Sequence, residues 1–471
     1  MCNTKCNLSS RGRAEEFVTG GKKQSPIRLS HARTTRWHPL SIDAVFWAHF
    51  ITINDLGHRR LSQSPSLWGS FHRRFFTSQR YDFRFTRRKQ RGSLSKIMSQ
   101  PCVIIIGSGI IGLSHAITAR EAGFEVVLFE RSARAQGASV RNFGTLWPIG
   151  CAFGAERDQA LFGVRRWQEI AAQAGIWTSA KGSLSLAYRE EAWAVLNEFA
   201  AQNDVFELLD APAVMARFPA ANPQGLRGAL YSPHETLVHS PSAIPAVSRH
   251  AKALGVEMHF GTPVVKVHDD EVETSAGKRM RFDHLVIAAG EEMGLLFPEE
   301  LEAAKIHPCR LQMMRTVAQP GGFDLGAILV SDLTLCHYPA FRDCPSTRAL
   351  RARLEEELPT HHHWGVHVIA AQHHDGTLTL GDSHEYGHDL TPESLSEVDE
   401  LILEALRAFV CVPDLRIASR WQGTYLKSKV GQTQVVLHPR ECVTMVTAMG
   451  GLGMTLSWGL AQKTISSWRT S

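Results

Sequence analysis

The chain has 471 residues, 44% of them apolar and 21% charged, the balance of an ordinary globular protein; its length exceeds the roughly 250–300 residues at which single cores stop growing, so more than one domain is expected. The net charge of +5 is unevenly placed: residues 1–97 hold 19 Lys and Arg against 5 Asp and Glu, and the remainder holds 32 against 41. No apolar run reaches the ~18–20 residues of a membrane-spanning helix, and the nine cysteines, scattered and without a CxxC pair, argue against a disulfide framework or a zinc site and for a cytosolic-type compartment.

Residues 1–97 are rich in Arg and Ser, poor in acid and without sustained periodicity, so a basic, disordered extension is expected. An organelle transit peptide has this composition, and so does a basic arm that touches nucleic acid or anionic lipid. The preferred reading is sequence upstream of a start at Met98, because Met98-Ser-Gln-Pro leads straight into a strand. That reading goes with a cytoplasmic location, and the transit-peptide alternative with a mitochondrial one. No nucleic acid is expected on the folded body.

The most informative stretch follows, CVIIIGSGIIGLSHAITAREAGFEVVLFER, from Cys102 to Arg131. Its β-branched run, glycine turn, helical spacing and second apolar run predict a βαβ unit. Gly107, Gly109 and Gly112 make the G-x-G-x-x-G spacing of a tight turn, a close approach to a pyrophosphate and close helix–strand packing. Glu130, eighteen residues after Gly112, ends the second run, where a carboxylate accepts hydrogen bonds from an adenosine ribose. Together they predict a bound dinucleotide.

Beyond it come the polar loop QGASVRNFGTLWP, a helix over Asp158–Ala174 and another over Ala243–Leu254. Short strands are predicted at Val256–Phe260, Val264–His268 and Glu271–Thr274, and an apolar strand in Asp283–Gly290. Between about Ala303 and Ser419, alternating strands such as Gly365–Ala371 and Thr377–Gly381, broken by one helix near Glu397–Phe409, predict an inserted antiparallel sheet. Val443–Thr447, the turn Met449-Gly-Gly-Leu-Gly-Met454 and Leu456–Ser467 repeat strand, glycine turn and helix. The histidine runs His361–His363 and His373-His374 are read as strand or loop residues, and no metal site is expected from them.

The glycine loop with Glu130, the strand Leu285–Gly290 and the turn Gly450–Gly453 together resemble the D-amino-acid-oxidase-like flavoenzyme family, relatives of glycine and sarcosine oxidase, over essentially all of 99–471. ERSARAQGASVRNFGTLWPIG, LQMMRT, LCHYPAF, LTLGDSHEYG and MGGLGMTLSWGLA are similar to a bacterial branch associated with aminophosphonate catabolism. The resemblance implies an α/β fold: a discontinuous, Rossmann-like FAD-binding domain of the glutathione-reductase type (99–182, 236–302 and 420–471) and an α+β substrate domain with a mostly antiparallel sheet (183–235 and 303–419). It implies FAD as cofactor, with Gly107, Gly109 and Gly112 on the pyrophosphate and Glu130 on the ribose. Arg131, Ser139, Arg141 and Asn142 would lie beside the ribityl and phosphate groups, Gly290 under the diphosphate, and Gly450, Gly451, Gly453 and Met454 near the flavin pyrimidine ring. RWQGTYLK has no cysteine where sarcosine oxidases attach their flavin, so non-covalent FAD is expected.

The implied reaction is oxidative deamination of a small amine bearing an anionic group, an aminophosphonate or an amino acid, by hydride transfer to flavin N5. O₂ or another electron acceptor would complete the cycle. A nicotinamide-dependent dehydrogenase and a non-catalytic flavin-binding protein are the alternatives. Cations and N–H donors should face the flavin, so His337, His384, Tyr425 and Lys427 are expected to contact the head group or amine, with Arg310 as an anion clamp. Asp382 is expected to orient His384, two residues along an extended strand.

Overall fold

The computed structural model describes residues 100–203 and 205–469; the expectations for residues 1–97 and Met98 lie outside the described residues. The strand Cys102–Ile106 sits at the centre of a six-stranded sheet, with Val103, Ile104 and Ile105 fully buried. A strand covered on both faces needs such an uninterrupted apolar run. The sheet runs in the order 435–440, 443–447, 284–287, 102–106, 125–129, 257–259. All neighbours are parallel except Val435–Arg440, which pairs antiparallel at one edge. The helix Ile110–Glu121 leaves the first strand and packs against the final helix, Gly453–Ser467. Sequence segments more than 300 residues apart thus meet over one sheet.

A second, nine-stranded sheet of mixed orientation carries the other side of the site. Its longest strands, Ile306–Thr316 and Ile417–Ser428, pair antiparallel along their whole length. The second of these extends the sheet to Ser428, past the boundary at 419 expected from sequence. Ile369–Gln372 and Leu378–Gly381 form an antiparallel hairpin beside Ile306–Thr316, and Ser183–Ala187 joins in parallel to Ile328–Val330. The amphipathic helix Ser396–Phe409 packs its buried Ile402, Leu406 and Phe409 against this layer.

Two expectations for 303–419 change. The segment holds the helices Asp332–Leu335, Thr347–Glu357 and Pro359–His363 in addition to Ser396–Phe409. Thr347–Glu357 buries only Thr347, Leu350 and Leu354 in a charged sequence, a stripe too thin to stand out by periodicity. His361–His363 therefore lie on a helix, with His361 buried and donating through Nε2 to the Leu401 carbonyl at 3.2 Å, and His362 facing outward near Glu355.

Candidate active site

The glycine loop shows why these positions take no side chain. Gly107 has φ +106°, and a Cβ there would stand 2.4 Å from the Ala288 carbonyl oxygen; at Gly112 it would stand 1.9 Å from that of Gly107. The strand His284–Ile287 therefore lies hard against the loop. The helix Ile110–Glu121 begins with no side-chain cap of its own and no acid in its first turn. The Ser139 hydroxyl, from the loop expected to lie beside the cofactor, accepts from the Ile110 N–H at 2.9 Å. The free N–H groups beside it make a seat for a diphosphate.

These residues line a groove of about 590 Å³. Gly107, Gly109, Glu130, Arg131, Ser139, Arg141, Asn142, Gly290, Gly450, Gly451, Gly453 and Met454 all face it; Gly112 lies behind, as a packing position. Glu130 is buried, and its carboxylate accepts from Ser108 N–H and hydroxyl at 2.9 and 2.8 Å and from Ser132 N–H at 2.9 Å. A carboxylate has about four acceptor positions, so one remains for a ribose hydroxyl. Arg131 pairs with Glu292 at 2.8 Å. Arg141 donates to the Gln422 carbonyl at 3.2 Å, and Asn142 bonds Ala138 O and Gly144 N–H, holding the loop in shape. Among the described residues no cysteine lines the groove; Cys309, opposite Tyr425 in the sheet, is buried with its thiol pushed up to about 12 by desolvation.

At its other end the groove reaches His337, Tyr338, His367, Asp382, His384 and Tyr425. The rings of His337 and His367 have centroids 3.9 Å apart, His337 and His384 4.5 Å, and His367 and His384 5.1 Å. Among the described residues these three are the histidines of which one ring nitrogen each lies within 4.8 Å of the others, a spacing that could hold a metal ion. Burial lowers all three pKa values, His367 to about 3, and neighbouring imidazoles and Lys427 add to the effect, so the cluster is neutral at pH 7. The charge of Lys427 opposes a metal cation here as it opposes a second proton.

His367 was not singled out from sequence, where it is one polar residue in the apolar run Val366–Ala371. Its place becomes visible only through the hairpin: the backbones of His367 and Asp382 pair in both directions, at 3.1 and 2.8 Å, and bring Asp382 Oδ1 within 3.2 Å of His367 Nε2. The expected orienting of His384 by Asp382 is corrected accordingly. The strand ends at Gly381, Oδ1 is 3.9 Å from His384 Nδ1, and Nδ1–H donates instead to the Gly365 carbonyl at 3.0 Å. Asp382 is fully enclosed, and desolvation holds its carboxyl well above the ordinary carboxylate range against the pull of Lys427. Arg310, expected as an anion clamp, lines neither this groove nor the adjoining cavity; its guanidinium is paired with Glu385 at 2.8 Å. Lys427 points to that adjoining cavity, its Nζ donating to the Tyr386 hydroxyl at 3.2 Å.

The dinucleotide cradle and the buried polar chamber thus share one groove, and the family model for FAD dependent oxidoreductases, DAO, matches residues 102–466. The chain belongs to the DAO family. Within it, a glycine oxidase of Bacillus licheniformis is 25% identical over 349 residues, 72% of this chain and 84% of that protein. The mouse mitochondrial pyruvate dehydrogenase phosphatase regulatory subunit is 25% identical over 225 residues, 45% of this chain; the match spans only 25% of the mouse protein's length. The crystal structure of glycine oxidase from Geobacillus kaustophilus shares the fold, with a TM-score of 0.63 at 18% identity, covering 78% of this chain and 95% of that one. This DAO-family chain is therefore an FAD-dependent oxidoreductase, and the glycine cradle, the free helix N-terminus and Glu130 fit the nucleotide half of that cofactor.

Proposed function

We propose that the enzyme oxidises a small amine bearing an anionic group, an aminophosphonate or an amino acid, to an imine that water then hydrolyses to a carbonyl compound and ammonia or an alkylamine. FAD, held non-covalently along the groove, supplies the two-electron acceptor for the hydride leaving the carbon beside nitrogen. The observation that carries the reading is the continuity of the nucleotide cradle with a chamber of neutral imidazoles and half-buried tyrosines. Relatives named glycine oxidase support an amine as the reactant.

The chain's own residues fit this chemistry. Hydride loss requires an uncharged amine, and a desolvated chamber beside Lys427 disfavours an ammonium, so the bound amine gives up its proton more readily than in water. The His384 tautomer is set by its Nδ1–H bond to Gly365, which leaves Nε2 as an acceptor for an amine N–H. Tyr425, whose hydroxyl is held protonated by burial and by the nearby Cys309 and Asp382, keeps its O–H as a donor. Enclosure excludes bulk water while the reactant is positioned. The C-terminal helix starts at Gly453, and Gly453 and Met454 line the groove, so this helix end would offer a partial positive charge to the flavin.

The test is anaerobic mixing of the purified yellow protein with a panel of amino acids and aminophosphonates, followed by peroxide detection in air. Bleaching by at least one amine is the expected result; a flavin that no amine reduces would leave a binding protein. Acid precipitation should release the flavin into the supernatant. O₂ or another acceptor would complete the cycle; a cytoplasmic location is proposed separately, on the reading of residues 1–97 as sequence upstream of a start at Met98, and a native N-terminus well upstream of Met98 would favour the mitochondrial alternative.

A further inference from the structure

His337 and Tyr338 line a second cavity as well, of about 240 Å³, whose walls include Arg342, Arg351, Tyr386 and Lys427. Its chemistry differs from that of the groove. Among the described residues three cationic side chains face it and no carboxylate does. Arg310 and Arg353, nearby in the same portion of the chain, are paired with Glu385 and with Glu191 and Glu357. Among the described residues Arg342, Arg351 and Lys427 have no such acidic partner. Arg351 spends one N–H group on the Cys336 carbonyl at 2.7 Å, and Lys427 reaches the Tyr386 hydroxyl. Both arginines are exposed, so the cavity opens to solvent on their side, and Lys427 stands deeper, half-buried.

Three uncompensated cations around one small volume repel one another, and they are best satisfied by an anion of matching charge. A carboxylate carries one charge and two oxygens in a plane. A phosphate monoester, or a phosphonate above its second ionisation, carries close to two charges and three oxygens arranged tetrahedrally, enough to accept from two guanidinium forks and an ammonium together. We propose that this cavity seats the anionic group of the substrate and selects a tetrahedral dianion over a carboxylate, with the amine-bearing arm reaching past His337 and Tyr338 toward the flavin. The inference rests on the amine-oxidising reading above and names the substrate class and the residues, Arg342, Arg351 and Lys427, that set it.

Calorimetric titration of the FAD-loaded enzyme with methylphosphonate, methyl phosphate and acetate tests the site without turnover. The dianions should bind about tenfold or more tightly than acetate, and Arg342→Gln and Lys427→Gln should each weaken the dianions by about tenfold and acetate by less. Arg342→Gln keeps the test decisive if Arg351→Gln, which also loses its bond to Cys336, fails to fold. Turnover of 2-aminoethylphosphonate, phosphoethanolamine and β-alanine then separates a phosphonate from a phosphate ester. For the preferred one, Arg342→Gln should raise KM about tenfold with kcat nearly unchanged. Equal affinity for acetate and methylphosphonate, or dianion binding indifferent to both substitutions, would overturn the proposal. Tight dianion binding in an enzyme whose flavin no amine reduces would uphold the anion site and reject the amine-oxidising reading instead.

Discussion

At the scale of single residues, the site depends on groups whose environment opposes charge. His384 sits in an enclosed cluster with one nitrogen bonded to Gly365 and the other free. Replacing it by Ala should lower turnover by about 10²-fold, the usual reach of a positioned proton acceptor, with the flavin-to-protein ratio intact; unchanged amine oxidation would remove it from the site. Gly112 is a packing position rather than a contact. A Cβ there meets the Gly107 carbonyl at 1.9 Å, so Gly112→Ala should cost about 1–3 kcal/mol and deform the loop that holds the diphosphate. The measurements are the melting temperature and the flavin retained on purification, and full retention with an unshifted melting temperature would contradict the packing argument.

At the scale of elements, the cofactor helix is capped from outside. Ser139 accepts from Ile110 N–H, a contact made by a 3₁₀ turn 29 residues later. Ser139→Ala removes a helix cap worth about 1 kcal/mol and one fixed wall of the groove. Both a small loss of stability and a weaker FAD affinity are expected, read by denaturant titration and by fluorescence titration of the apoenzyme with FAD. What could be read from sequence also divides at this scale. The first strand, the glycine turns and the final strand–turn–helix were legible because β-branched runs and glycines act locally. The helix Thr347–Glu357 was not, since its apolar stripe is two leucines and a threonine wide. The environments of His367 and Arg310 were hidden for another reason. Each is defined by a partner across a strand pairing, Asp382 and Glu385, that no local pattern announces.

At the scale of the whole molecule, buried imidazoles couple stability to pH. His115, on the cofactor helix, is fully buried with its Nδ1–H donated to Ile111 O at 2.7 Å, and desolvation lowers its pKa to about 4. An unfolded imidazole takes up a proton below about pH 6.5, whereas the folded one resists until about 4. Its contribution is therefore complete above pH 6.5 and is lost as pH falls toward 4, with a slope of up to about 1.4 kcal/mol per pH unit. Against it work the buried carboxyls of Glu235, Asp332 and Asp382, whose raised pKa values favour the protonated fold. His115→Leu isolates the imidazole: between pH 7 and 5 the variant should lose less stability in denaturant than the parent, and parallel losses would contradict the assignment.

Two sheets built from distant parts of the chain bring a nucleotide cradle and a chamber of neutral histidines to one groove, and a cationic cavity adjoins it at His337 and Tyr338. The most direct test of this arrangement is the absorption spectrum of the FAD-loaded enzyme during anaerobic addition of a small amine carrying an anionic group. The account predicts loss of the oxidised flavin band and its return on admitting an electron acceptor. A protein that takes up no FAD, or whose flavin stays oxidised with every such amine, would contradict it.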